Sequence, residues 1–168
     1  TIWYDNTKDL VKIIDQRFLP FDLKIIELKT LGDFCFAIKE MQVRGAPLIG
    51  VTAAYGMYAA SKTTKNFSEL EKAGDSLKST RPTAVNLSWA VDKIITEIKD
   101  MEKSNLQEII LSIANEIRDQ DIINCKAIGE NGSKLIENIY KKTQKKVNVL
   151  THCNAGWLAA VDWGTALA

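Results

Sequence analysis

The longest uncharged stretch of the chain, residues 45–61, reads GAPLIGVTAAYGMYAAS and limits what the rest can fold into. It approaches membrane-span length, but three Gly, one Pro and many Ala leave it only weakly hydrophobic. It therefore reads as a buried, tightly packed helix and not as a span. Gly50, Ala53, Ala54 and Gly56 give that helix a face on which other backbones can approach closely. Pro47 fits its first turn, where the missing N–H costs nothing. The chain of 168 residues, 46% of them hydrophobic, is long enough to bury a core around such a helix.

The surrounding pattern is mostly helical. Residues 10–28 hold two short β-rich runs separated by Leu19-Pro20-Phe21-Asp22, which predicts a hairpin or small antiparallel sheet. From Gly32 the period changes. Asp33 is placed to cap a helix carrying Phe34, Ala37, Ile38 and Met41, which ends near Val43-Arg44-Gly45. The spacing Ser68-x-x-Glu71 predicts a capping box, and Pro82 predicts the start of a helix with a stripe of Val85, Trp89, Ile94, Ile95 and Ile98. A second capping box, Ser104-x-x-Gln107, precedes a long helix that Gly129 and Gly132 are expected to interrupt. The lysine-rich residues 141–146 read as a solvated linker. Residues 147–153, VNVLTHC, read as a buried strand, 154–156 as a tight turn and 157–167 as a helix, the first unit of a parallel α/β sheet. One parallel strand cannot stand without neighbours, and the last residues end inside an apolar pattern, so the expectation is a piece of a longer chain.

Composition excludes several classes. There are 22 Lys+Arg against 21 Asp+Glu, a net charge of +1, which argues against a generally basic nucleic-acid binder. Three widely spaced Cys (Cys35, Cys125 and Cys153) form no disulfide framework and point to a reducing cytoplasm. No secretory segment is visible at the start. The Cys and the single His lack zinc-ligand spacing, and there is neither a GxGxxG fingerprint nor a P-loop. No metal site and no nucleotide chemistry are expected.

Three places can carry chemistry. Cys153 would sit at the carboxyl end of a strand and ahead of a helix N-terminus, where the helix dipole stabilises a thiolate; the alternative is a buried structural Cys. Cys35 and Cys125 fall in helical apolar patterns and read as structural. Arg44-Gly45-Ala46-Pro47 puts a guanidinium beside a helix start, where backbone N–H groups can converge with it on an anion. Arg81-Pro82-Thr83 repeats that arrangement. Two such sites suggest a phosphorylated ligand more than either does alone, although each by itself also fits a structural turn.

The segments IIDQRFLP (13–20), VRGAPLIGVTAAYG (43–56), RPTAVNLSWAVD (81–92), IGENG (128–132) and LTHCNAGWLAAVDWGTALA (150–168) occur in order. Together they resemble the methylthioribose-1-phosphate isomerase family of methionine salvage, whose fold is shared with the regulatory subunits of initiation factor 2B. The resemblance runs over essentially the whole chain. It implies an α/β fold: a small β-rich element over 1–28, a mainly helical domain over 29–140, and over 147–168 the first β-α unit of a Rossmann-like parallel-sheet domain. It implies that 5-methylthioribose 1-phosphate is isomerised to 5-methylthioribulose 1-phosphate, with Cys153 catalytic and Arg44, Gly45, Ala46 and Arg81 on the substrate. The second catalytic group, an aspartate, would lie beyond residue 168, and Asp162 does not take its place; this chain alone would then be inactive. The resemblance further implies a cytoplasmic homodimer that needs no cofactor, with a small sugar phosphate as its partner and neither nucleic acid nor membrane. A ribose-1,5-bisphosphate isomerase and a non-catalytic initiation-factor-2B-like subunit are the alternatives.

Overall fold

A computed structural model describes residues 1–64, 66–99, 101 and 105–168. Three strands open the chain: β1 (Ile2–Asp5), β2 (Leu10–Ile14) and β3 (Ile25–Leu28). They form an antiparallel sheet in the order β1-β2-β3, with Trp3 opposite Lys12 and Lys12 opposite Glu27. The two β-rich runs are thus β2 and β3, and β1 is an addition to the expectation. Asp5 makes the β1–β2 connection by accepting from the Thr7 and Lys8 backbone N–H groups at 3.0 and 3.2 Å.

Among the described residues five α-helices follow: α1 (Leu31–Lys39), α2 (Ala46–Ser61), α3 (Phe67–Thr80), α4 (Val85–Ile98) and α5 (Leu106–Thr143). The uncharged stretch is α2, buried at every residue from 48 to 61 and packed against each of the other four helices. Its small residues mark the crossings. A side chain at Gly50 would come within 3.1 Å of the Asn86 carbonyl oxygen, and one at Gly56 within 3.0 Å of Leu77. Tyr55, fully buried on the same helix, donates from its hydroxyl to Asn115 Oδ1 at 2.8 Å, which ties α2 to α5. No helix among the described residues is long and apolar enough to cross a membrane.

Several boundaries differ from the pattern read in the sequence. Thr30, and not Asp33, caps α1; Asp33 is the reciprocal member of the capping box, accepting from the Thr30 N–H at 2.8 Å. Met41 leaves the α1 stripe because the chain turns there at φ 55° and exposes it. In α3 the cap is Asn66, whose Oδ1 accepts from the Glu69 N–H at 2.9 Å, so the Ser68–Glu71 pair lies inside the helix. Pro82 precedes α4 within a turn closed by Ala84 N–H to Arg81 O at 2.9 Å, a position that suits its fixed φ. Val85 and Trp89 are exposed, and the buried stripe of α4 is Leu87, Ala90, Val91, Ile94 and Ile98. The Ser104–Gln107 capping box falls partly outside the described residues.

α5 is one uninterrupted helix of 38 residues. Glycine costs roughly 1 kcal/mol against alanine in a helix interior, too little to break a helix of this length. It runs into the lysine-rich stretch and ends at Gln144 in the left-handed conformation, with Lys141 and Lys142 in a last turn that favours positive charge.

The expected β-α unit is not formed. Residues 145–153 carry no strand, and Leu150 is 98% exposed, because none of the described residues supplies a second strand to take up their backbone hydrogen bonds. The segment beyond is not a long helix either. It makes a single 3-10 turn over Trp157–Ala159 and then loops, with Trp163 and Gly164 at φ 64° and 100°. The fold is accordingly a mostly helical body with a small antiparallel sheet and an irregular carboxyl-terminal segment laid across it.

Candidate active site

The carboxyl-terminal segment packs against the N-terminal end of α2 and against α5. Ala159, Ala160 and Val161 are buried there. Gly45 makes the closest approach: at φ 89°, a Cβ on it would lie 2.4 Å from the Ala159 carbonyl oxygen and 2.5 Å from its Cα. Only glycine meets both the backbone conformation and the space. Arg44 is thereby brought to an open cleft of about 340 Å³ whose lining includes Gln16, Pro20, Asn154, Ala155 and Leu158. One wall thus comes from Arg44 with Gln16 and Pro20, and the facing wall from the loop just after Cys153; Gly45 and Ala46 do not line it.

Hydrogen bonds between distant side chains and its backbone hold that loop. Gln16 donates from Nε2 to Leu158 O at 2.6 Å, and Thr1 donates from Oγ1 to Ala160 O at 2.6 Å. Asp121 on α5 accepts the Val161 N–H at 2.8 Å. The opposite wall is fixed by Asp15, which is 1% exposed. Asp15 accepts from Arg17 Nε at 3.0 Å, Arg17 Nη2 at 2.8 Å and Gln42 Nε2 at 2.7 Å, so it joins the exit of β2 to the residues leading into Arg44. Burial pushes the Asp15 carboxyl up, but the bonds from Arg17 and Gln42 outweigh it and leave the group below the ordinary carboxylate value.

That balance gives a pH signature. A carboxyl held lower in the folded than in the unfolded chain adds stability that is complete above the unfolded value of about 3.9 and is lost as pH falls through the lowered folded value. Asp15→Asn is expected to cost about 1–3 kcal/mol at neutral pH, the range for a lost charged hydrogen-bond acceptor. Urea melts at stepped pH should show the gap between the two proteins shrinking as pH falls below about 4. A gap independent of pH would contradict this role for Asp15.

Arg44 is half-buried, and its guanidinium makes a long hydrogen bond, from Nε to Met41 O at 3.5 Å. No carboxylate among the described residues pairs with it, which suits a guanidinium aimed at an external anion. Arg81 caps the C-terminus of α3 and is not among the residues lining the Arg44 cleft. Nor is it among the residues that line the neighbouring cleft between α2 and α4. Pro47 and Gly50 of α2 share that second cleft of about 490 Å³ with Val85 and Asn86 of α4, and Asp121, Cys125 and Thr165 also line it.

The three thiols separate as their surroundings dictate. Cys125 is buried, and burial together with the Asp121 carboxylate pushes it up to about 11. Cys35 is half-buried and is pushed up by burial. Cys153 is exposed, at φ 72°, directly before the Asn154-Ala155 wall of the cleft. The helix-dipole argument for its reactivity does not hold, since only a three-residue 3-10 turn follows it. Exposure and position single it out instead.

Asp15, Gln16 and Asp121 escaped the sequence reading as site residues. Asp121 carried a usable signal: it lies four residues from each of Ile117 and Cys125, so a carboxylate interrupts the buried stripe of α5.

Residues 42–162 match the model of the initiation factor 2 subunit family, and the chain belongs to that family. Within it, the chain is 48% identical over 168 residues to the methylthioribose-1-phosphate isomerase of Methylorubrum extorquens, covering all of this chain and 46% of that one. The same enzyme of Rhizobium meliloti is 47% identical, with 100% and 47% covered. Among solved structures, 5-methylthioribose 1-phosphate isomerase from Pyrococcus horikoshii superposes with a TM-score of 0.82 at 35% identity, covering 98% of this chain and 46% of that one. The delta subunit of translation initiation factor eIF-2B from A. fulgidus gives 0.80, also at 35% identity, covering 99% and 48%. The chain spans about half the length of these relatives.

Proposed function

We propose that this chain is the amino-terminal part of an aldose–ketose isomerase that converts 5-methylthioribose 1-phosphate to 5-methylthioribulose 1-phosphate. The observation that carries the reading is the cleft in which Arg44 faces the Asn154-Ala155 loop, in a chain whose relatives at 45–48% identity bear that enzyme's name. Cys153 is the catalytic group of this chain. Arg44 and Arg81, with the backbone of Gly45 and Ala46, hold the phosphate and the ring hydroxyls. An aspartate beyond residue 168 completes the pair, and residues 147–168 open the domain that carries it.

The chemistry explains the need for two groups. The 1-phosphate blocks spontaneous opening of the sugar ring, so an acid must protonate the ring oxygen as its bond to C1 breaks. A base then takes the proton from C2, leaving an enol. Return of a proton to C1 and loss of one from the C2 hydroxyl give the ketone, with no net gain or loss of protons. A thiolate at Cys153 serves as the base and the distant carboxylic acid as the proton donor.

The likeness to the eIF-2B delta subunit favours a second reading, a non-catalytic regulatory subunit. Turnover decides between them. The full-length parent is expected to convert 5-methylthioribose 1-phosphate and to leave ribose 1,5-bisphosphate unchanged. Conversion of only the bisphosphate would move the assignment to a sugar-bisphosphate isomerase, and conversion of neither would leave the regulatory reading.

A further inference from the structure

We infer that Asp121 is a positioning residue for the Cys153 loop, an inference that rests on the isomerase reading for its kinetic consequence but not for its structural one. Asp121 stands on α5 with Ile117 one turn before it and Cys125 one turn after, both buried. Its Oδ2 accepts the Val161 N–H at 2.8 Å, and its Oδ1 lies 3.9 Å from the Cys125 thiol. The carboxylate thus reaches out of the long helix to the backbone of a segment 40 residues later.

What that bond fixes is the returning limb of the loop. Val161 ends the buried run Ala159-Ala160-Val161, whose carbonyls at Ala160 and Val161 accept from Thr1 and whose first residue is pressed on Gly45. Gly164, just beyond, folds back so tightly that a Cβ on it would lie 2.4 Å from the Gly156 carbonyl carbon. Cys153, Asn154 and Ala155 therefore hang from a closed turn whose far end is held to α5 by Asp121. A carboxylate supplies a strong acceptor for an N–H that would otherwise be buried without a partner. Placement of a reacting group within about 1 Å matters on the order of 100-fold in rate, so a small drift of this limb is enough to cost turnover.

The test uses Asp121→Ala and Asp121→Asn in the full-length parent. The alanine variant is expected to lower kcat on 5-methylthioribose 1-phosphate by about 10- to 100-fold with KM within about twofold. It should also speed hydrogen exchange at the Val161 amide. The asparagine variant, which keeps an oxygen acceptor, should restore kcat to within about threefold of wild type and keep that amide protected. If the alanine variant fails to fold, Asp121→Glu, which keeps the charge but shifts the acceptor by one methylene, replaces it with the same expected losses. Unchanged exchange at Val161, or an unchanged kcat, in the variant lacking or displacing the acceptor would overturn the inference. Asparagine as damaging as alanine would also overturn it. Should the wild type turn over neither sugar phosphate, the isomerase reading fails, and the exchange measurement alone decides whether Asp121 holds the loop.

Discussion

Replacing Cys153 with serine in the full-length parent is expected to lower kcat on 5-methylthioribose 1-phosphate by about 10²–10⁴, the usual worth of a positioned acid or base. Serine keeps the size of the side chain and the same Cβ, so the left-handed backbone at φ 72° is no more strained than before. The hydroxyl is a far weaker acid than the thiol and supplies no comparable base. Because Cys153 is exposed, the substitution should change stability by no more than about 0.5 kcal/mol. Equivalent substitutions at Cys35 and Cys125 should reverse the pattern, with kcat retained and stability lowered. Steady-state kinetics and thermal melts on the three variants separate these cases. Turnover of the Cys153→Ser protein within tenfold of wild type would remove the thiol from the chemistry.

The second large effect belongs to Gly45. A methyl group there would meet the Ala159 carbonyl oxygen at 2.4 Å and the Ala159 Cβ at 2.6 Å, at a φ of 89° that side chains rarely adopt. The conformational strain costs roughly 1–3 kcal/mol, and forcing atoms into a packed contact costs a further 1–3 kcal/mol or so. The contact cannot relax cheaply, because Ala159 lies in a stretch of backbone whose neighbours Leu158, Ala160 and Val161 are held by Gln16, Thr1 and Asp121. Gly45→Ala is therefore expected to lose roughly 3 kcal/mol or more, seen as a melting temperature lowered by several degrees. It should also push Arg44 and the Asn154 loop apart and weaken substrate binding. Gly132 is the control, since nothing lies within 4 Å of where its Cβ would be. Gly132→Ala, in the middle of α5, should be neutral or stabilising by up to about 1 kcal/mol. Equal melting temperatures for Gly45→Ala and wild type would contradict the packing described.

The helical body was legible because its signals are local. An uncharged run rich in small residues could only be a buried helix, and α2 is that helix. The exposed Val85 and Trp89 were harder, since an apolar residue near a helix start looks the same whether it faces the core or the mouth of a cleft. β1 was missed although Asp5 and Thr7 carry the chemistry of an Asx turn between IWY and LVKII. Of the site residues proposed from sequence, Arg44 lines the cleft and Gly45 packs on the segment that follows Cys153, while Arg81 lies outside the cleft; the loop after Cys153 could not be read. Its conformation depends on Gln16 and Asp121, 142 and 40 residues away from the atoms they hold, and on positive φ at Cys153, Gly156, Trp163 and Gly164. Periodicity carries none of that information, so an apolar run there passed for a helix. The strand expected over 147–153 failed for a different reason: a strand is defined by its neighbour, and none of the described residues supplies one.

The account stands most directly on the cleft between Arg44 and the Cys153 loop being where substrate sits. Alkylation of the full-length parent with iodoacetamide, followed by mass spectrometry of the peptides bearing Cys35, Cys125 and Cys153, measures this with and without 5-methylthioribose 1-phosphate. Label is expected to fall mainly on Cys153, the exposed thiol of the three, and the sugar phosphate should slow it several-fold while leaving the other two sites unchanged. Faster labelling of Cys35 or Cys125, or a Cys153 labelled equally fast in saturating substrate, would contradict the account.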